Sequence, residues 1–82
     1  MHTLKNIFSA VLGVPLERIT PSTAPENTPS WDSLNAIILI TEIEKAFKVR
    51  IAYDEAMGVK NFADVVSLVK SKAPDFFNGE HG

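Results

Sequence analysis

Four of the chain's five prolines fall between residues 15 and 29, at Pro15, Pro21, Pro25 and Pro29. Proline lacks a backbone N–H, and its ring clashes with the preceding helical turn, so no helix runs through that spacing. On both sides, apolar residues recur at intervals of three and four, the period of an amphipathic helix. The chain must therefore fold as helix, long connector, then more helix. A connector from Val14 to Ser30 is unusual in a compact domain unless it has a task or a functional neighbour.

Before the connector, Leu4, Ile7, Phe8, Val11 and Leu12 share one face of a helix spanning Thr3 to Leu12. Thr3 is the candidate N-cap, and Gly13 stands where a helix usually stops. Leu16 and Ile19 are expected to anchor the connector to the core, through one short turn. The second helix is expected from Ser33 to Phe47 or Lys48, capped by the Asp32 carboxylate. Its predicted inner stripe is Ile37, Ile40, Ile43, Ala46 and Phe47, with Glu44 and Lys48 as an i, i+4 ion pair. Val49 to Ile51 reads as an extended link, and Tyr53 to Met57 as a single turn ended by Gly58. Phe62 to Lys72 reads as the last helix, with Asn61 as N-cap, Asp64 supporting it, and Phe62, Val65, Val66 and Val69 facing inward. Pro74 closes it, and a loose polar tail runs from Asp75 to Gly82. The expectation is an all-α fold: a small four-helix bundle of three main helices and one short helix, with a long first loop. Residues 1–74 would form one domain and 75–82 its tail.

Composition narrows what such a bundle can do. At 82 residues there is room for one domain, and its core is small. A net charge of -2 argues against nucleic-acid binding, which needs clustered Lys and Arg. The absence of cysteine excludes disulfides, thiolate metal sites and a cysteine nucleophile. The longest apolar run, Ala36 to Ile40, is too short to insert across a membrane. The N-terminus does not read as a secretory signal, so a soluble cytoplasmic protein is the default. His2 and His81 lie at opposite ends and predict no metal centre. Glu42 and Glu44, two apart on a helix, do not face each other as a catalytic pair would.

One stretch carries chemistry. Trp31-Asp32-Ser33-Leu34 stands where the Pro-rich loop meets a helix N-terminus. Free N–H groups and the positive end of the helix dipole favour a phosphate there, and the Ser33 hydroxyl could carry one as an ester. Read alone, the same residues are more simply a plain cap beside a small neighbour, since Asp-Ser near a helix start is very common. Trp31 either seals the loop against the core or guides a bound group, and sealing is the stronger expectation.

Taken together, the segments resemble acyl carrier proteins from about Leu4 to Lys72. The matches are Val11-Leu12-Gly13-Val14, Asp32-Ser33-Leu34, the run from Ile43 to Ile51 (similar to the family's L-E-x-x-F-x-I-x-I pattern), and Phe62-Ala63-Asp64-Val65-Val66. The resemblance implies a non-catalytic carrier, whose Ser33 receives 4′-phosphopantetheine from coenzyme A. The arm's terminal thiol then holds acyl groups as thioesters. It also implies a monomer that meets a phosphopantetheinyl transferase, acyl-activating or acyltransferase enzymes and downstream synthases. Asp32 would serve as cap and transferase contact. Leu34, Asn35, Ile38 and Glu42 would form the surface that partners read.

The departures from the family pattern point to a subtype. The glycine usual two residues before the aspartate is replaced by Ser30, and W-D-S-L resembles discrete carriers of specialised pathways. From Asp32 to Arg50 three acids (Asp32, Glu42, Glu44) meet three bases (Lys45, Lys48, Arg50), where fatty-acid carriers have a strongly acidic helix. Ile38 stands where those carriers commonly have a carboxylate, and should share Leu34's outward face. The competing reading is a cofactor-free helical interaction module that uses the Leu34–Ile38 patch to grip a partner.

Overall fold

A computed structural model describes residues 2–74, without the side chain of His2; the expected tail at 75–82 lies outside the described residues. Helix α1 spans His2–Leu12, α2 Ser33–Phe47, α3 Tyr53–Met57 and α4 Phe62–Lys72. A single 3₁₀ turn, Leu16–Arg18, interrupts the connector, and the described residues contain no strand. The all-α architecture and its long first loop are those the residue pattern predicts.

Helix ends follow the local chemistry. Gly13 adopts φ +67°, a left-handed conformation that costs glycine little, and its N–H donates to the Ser9 carbonyl (2.9 Å). The α1 boundary differs from expectation by one residue. The helix already includes His2, so Thr3 lies inside the first turn and is not its cap. Asp32 caps α2 as expected. Asn61 caps α4, its Oδ1 accepting from the Asp64 N–H (2.9 Å). The Asp64 carboxylate reaches back to the Lys60 N–H (3.0 Å), one residue beyond the reach of a capping box.

The core draws on every long helix. Leu4, Phe8 and Leu12 of α1 meet Leu39, Ile43 and Phe47 of α2, and Phe62, Val65 and Val69 of α4, with Ile19, Trp31 and Ile51 from the links. Phe8 is its aromatic hub. It meets Trp31 edge-on at 5.2 Å between ring centroids, and Phe62 at 4.9 Å. Such T-shaped pairs contribute about 0.5–1.5 kcal/mol each beyond area burial. Trp31 is buried, so its indole closes the connector onto the core.

Three expectations about packing are corrected. Ile37 is not in the inner stripe: it is 66% exposed, and Leu39 takes the inward place. The run Ala36 to Ile40 is apolar all round the helix, so spacing alone left its rotation open, and Phe8 and the other α1 core side chains select the Leu39–Ile43–Phe47 line. Leu16 is 43% exposed, so of the two expected anchors Ile19 alone is buried. Ile19 has already left the 3₁₀ turn for extended backbone, which turns its side chain inward. Finally, Glu44 does not pair with Lys48. Lys48 adopts φ +56° as the α2 C-cap and departs from the helical path, while Glu44 Oε2 accepts from the Ile51 N–H (2.8 Å).

The Pro-rich connector is a built element. Thr23 Oγ1 accepts from the Thr20 N–H and donates to the Arg18 carbonyl. Asn27 Oδ1 accepts from the Ala24 N–H and the Thr28 hydroxyl, and its amide donates to the Ser22 carbonyl. The carbonyls of Thr23 and Pro21 accept from the Phe62 and Ala63 N–H groups of α4, at 2.8 and 3.1 Å. The first turn of a helix leaves such N–H groups without intrahelical acceptors, so the connector satisfies them and fixes α4. Its other end delivers the chain into α2 at Asp32.

Candidate functional site: the start and outer face of the second helix

The entry to α2 is fixed from both directions. The Trp31 N–H donates to the Thr28 carbonyl (2.9 Å), closing a turn just before the helix. Asp32 is extended (φ -104°, ψ -175°), and its Oδ1 accepts from the Asn35 N–H at 2.9 Å. The Asp32 carbonyl accepts the first helical bond, from the Ala36 N–H at 2.8 Å. Asn35 is half-buried, and its amide donates to the Ser30 carbonyl (2.7 Å). Of the residues expected to contact partners, it thus fastens the loop to the helix.

Ser33 is the first residue of α2 and is exposed. The Ser33 and Leu34 N–H groups lie in the first turn, where no helical carbonyl can accept from them. These donors, together with the dipole's positive end, stabilise an anion placed on the Ser33 hydroxyl. The Asp32 carboxylate is committed to the Asn35 N–H beside this point. Among the described residues no cluster of His, Cys, Asp or Glu could hold a metal ion.

Beyond Ser33 the outward face of α2 is apolar. Leu34 is 67% exposed and Ile38 38%, and Ile37 joins them. Ile37 is the surface residue that sequence reasoning missed; its i+3 spacing from Leu34 was the available signal. Glu42 lies one turn past Ile38, and its carboxylate is 3.8 Å from Lys45 Nζ, so the acid on this face has a neutralising neighbour. Ile38 and Glu42 also form one wall of an open groove of about 560 Å³, whose other wall includes Ile7, Ala10 and Val11 of α1. The structure therefore brings Asp32, Ser33, Leu34, Ile37, Ile38 and Glu42 onto one helix surface.

The family model described as "Phosphopantetheine attachment site" matches residues 2–69. The chain belongs to the acyl carrier protein family. The solution structure of the holo acyl carrier protein from Geobacter metallireducens is similar, with a TM-score of 0.80 and 28% sequence identity. That match covers 99% of this chain and 93% of the other. Members of the family carry intermediates rather than catalyse, and they work with transferases and synthases. The cofactor is a covalently attached 4′-phosphopantetheine. The residues present fit this group: an exposed serine at the first position of a fifteen-residue helix, next to free main-chain donors. The chain has no cysteine, so when bound the cofactor supplies the thiol. No helix among the described residues is long and apolar enough to cross a membrane.

Proposed function

We propose that this chain is a stand-alone carrier of acyl thioesters, charged on a 4′-phosphopantetheine arm attached to Ser33, and that it serves a specialised biosynthetic pathway. The observation that carries the reading is Ser33 itself, exposed at the α2 N-terminus within the family match. Residues 1–74 act as the carrier domain. The protein is a cytoplasmic monomer without catalytic activity of its own. A phosphopantetheinyl transferase loads Ser33, an acyl-activating or acyltransferase enzyme charges the thiol, and synthases act on the thioester.

Asp32 has two roles in this reading. It holds the first turn of α2 in shape, and its carboxylate is part of what the transferase reads. The first-turn N–H groups face the phosphodiester and stabilise its charge. Leu34, Ile37, Ile38 and Glu42 form the surface that partner enzymes engage, with Asn35 holding its edge in place. The neutral, apolar character of that surface supports a specialised pathway over primary fatty-acid synthesis, as does W-D-S-L.

Incubation with coenzyme A and a broad-specificity phosphopantetheinyl transferase tests the proposal. Intact-mass measurement should show a single addition, and a thiol assay should rise from zero to one per chain. A protein that stays unmodified and thiol-free would instead be a helical interaction module with a carrier's fold.

A further inference from the structure

The connector frames a second recess, and its chemistry is the reverse of the apolar groove between α1 and α2. It holds about 300 Å³, and its lining includes Arg18, Thr20, Thr23, Asn27, Thr28 and Ser30. Thr23 and Thr28 are buried and give it a fixed polar wall. Their hydroxyl protons are already committed: Thr23 donates to the Arg18 carbonyl, and Thr28 to Asn27 Oδ1. Other donors at the recess have no acceptor among the described residues. They are the Arg18 guanidinium, the Thr20 and Ser30 hydroxyls, and one N–H of the Asn27 amide, whose other N–H serves the Ser22 carbonyl. Among the described residues no carboxylate lines the recess. Free donors, a positive charge and no negative charge suit an acceptor-only group, and an ionised carboxylate is one. Position matters as much. Ser30 precedes Ser33 by three residues, so at most about 11 Å of chain separates the rim from the attachment point. A phosphopantetheine arm of about a dozen bonds, each roughly 1.3–1.5 Å, outreaches that span.

We infer that this recess receives the far end of a carried acyl group that terminates in a carboxylate, with Arg18 as its counter-charge. The cargo class is then a carboxyl-terminated acyl thioester. This rests on Ser33 as the attachment point and adds the cargo to that reading. Both main-chain groups of Arg18 are held, its N–H by the Pro15 carbonyl and its carbonyl by the Thr23 hydroxyl, so the base of the side chain is fixed while its exposed head can turn to the ligand. The apolar groove on the other side suits the same group badly. Ile7, Ala10, Val11 and Ile38 offer a carboxylate nothing in place of its water, and Glu42 stands at the same wall with like charge. An exposed Arg–carboxylate pair is weak by itself, so a dilute free acid leaves the recess empty. Tethering changes this, because a group on a short flexible arm is present at a millimolar effective concentration.

NMR on the full chain carrying either of two cargoes tests this. A broad-specificity phosphopantetheinyl transferase loads Ser33 from glutaryl-coenzyme A or from valeryl-coenzyme A, whose acyl groups have equal length and differ in the terminal carboxylate, and intact mass verifies each loading. The amide shifts of Thr20, Thr23, Asn27 and Thr28 should move between the holo and glutaryl forms and keep their holo positions in the valeryl form. Arg18→Gln, an exposed substitution, should leave the helices intact and reduce the glutaryl effect about two- to fivefold, while Arg18→Lys should keep most of it. Free glutarate at the protein's own concentration should leave these amides unmoved. Equal shifts from the two cargoes, or an undiminished effect in Arg18→Gln, would overturn recognition of the carboxylate. The same shifts from equimolar free glutarate would overturn the need for the arm. A chain that gains no mass would overturn the Ser33 reading itself, whereas complete loading with unmoved connector amides would overturn this inference alone.

Discussion

On its inner side α2 buries Leu39, Ile43 and Phe47; on its outer side it presents Leu34, Ile37 and Ile38 to water. Both faces are built from large aliphatic residues, so composition does not separate them. What separates them is what stands opposite. The inner three lie against Phe8, Phe62 and Val65, whereas among the described residues the outer three stay exposed, Ile38 the least of them because it borders the groove along α1. A buried Phe or Ile contributes about 1.5–3 kcal/mol to folding. The same side chain in water contributes almost nothing. An apolar surface set beside Ser33 is thus idle for stability and available for recognition.

Substitutions on the two faces should behave oppositely. Phe47→Ala, on the inner face, should cost about 3–5 kcal/mol, a large part of the stability of so small a domain. A denaturant titration that found less than about 1 kcal/mol would return Phe47 to the surface and erase the distinction. On the outer face, Ile38→Glu should leave the thermal midpoint nearly unchanged, as exposed substitutions usually do. It should weaken binding to a cognate partner by roughly 1–3 kcal/mol if Ile38 anchors that contact. Ile37→Glu extends the comparison to the residue whose facing was misread, with the same expectation for stability. Wild-type affinity should vary only weakly across a salt series, because screening acts on charges and not on covered methyl groups. A large fall in midpoint for Ile38→Glu would place Ile38 in the core. Steep salt dependence would mean that partners read charge, and would remove the support for a specialised carrier.

Asp32 stands where the two faces begin, and its substitution should have a smaller effect on folding. Asp32→Ala should cost roughly 1 kcal/mol by loss of the bond to the Asn35 N–H. Loading of Ser33 should slow by more than this loss explains, since most molecules of the variant remain folded. Equal loading rates in variant and wild type would confine Asp32 to capping.

The smallest expected effect concerns α3. Glu55 Oε1 of α3 accepts from the Ala52 N–H (2.8 Å) and lies 2.9 Å from Lys72 Nζ of α4, and these contacts, the Ala52 bond first, lower the Glu55 pKa below its ordinary value. A carboxylate lowered on folding stabilises the fold above its unfolded pKa, and that contribution fades as pH falls through the lowered folded value. Protection of α3 amides should therefore decline on acidification below the ordinary carboxylate range, before that of α2 and α4. Uniform loss across all helices at one pH would contradict a separate role for Glu55.

How legible each face was follows from the same physics. The caps at Asp32 and Asn61 could be read because a side-chain acceptor before a helical period has few other uses. The proline spacing fixed the place of the connector, and the Asp32-Ser33-Leu34 motif marked the site. The rotation of α2 could not be read from Ala36 to Ile40, since five successive apolar residues mark no side. Only packing on α1 resolves it. Glu44's choice of the Ile51 N–H over Lys48 was equally hidden, because it depends on the left-handed turn at Lys48. The connector's bonds to α4 join residues some forty positions apart and leave no local pattern. Local chemistry was therefore readable, and whatever depends on a distant partner was not.

The central claim is that Ser33 alone accepts the phosphopantetheine arm. Its most direct test is the intact mass of wild-type and Ser33→Ala chains after identical incubation with coenzyme A and transferase, with helical circular dichroism recorded on both. The account predicts one addition on the wild type, mapped to the peptide containing Ser33, and none on the equally helical variant. An addition on Ser33→Ala, or on a wild-type peptide lacking Ser33, would contradict it.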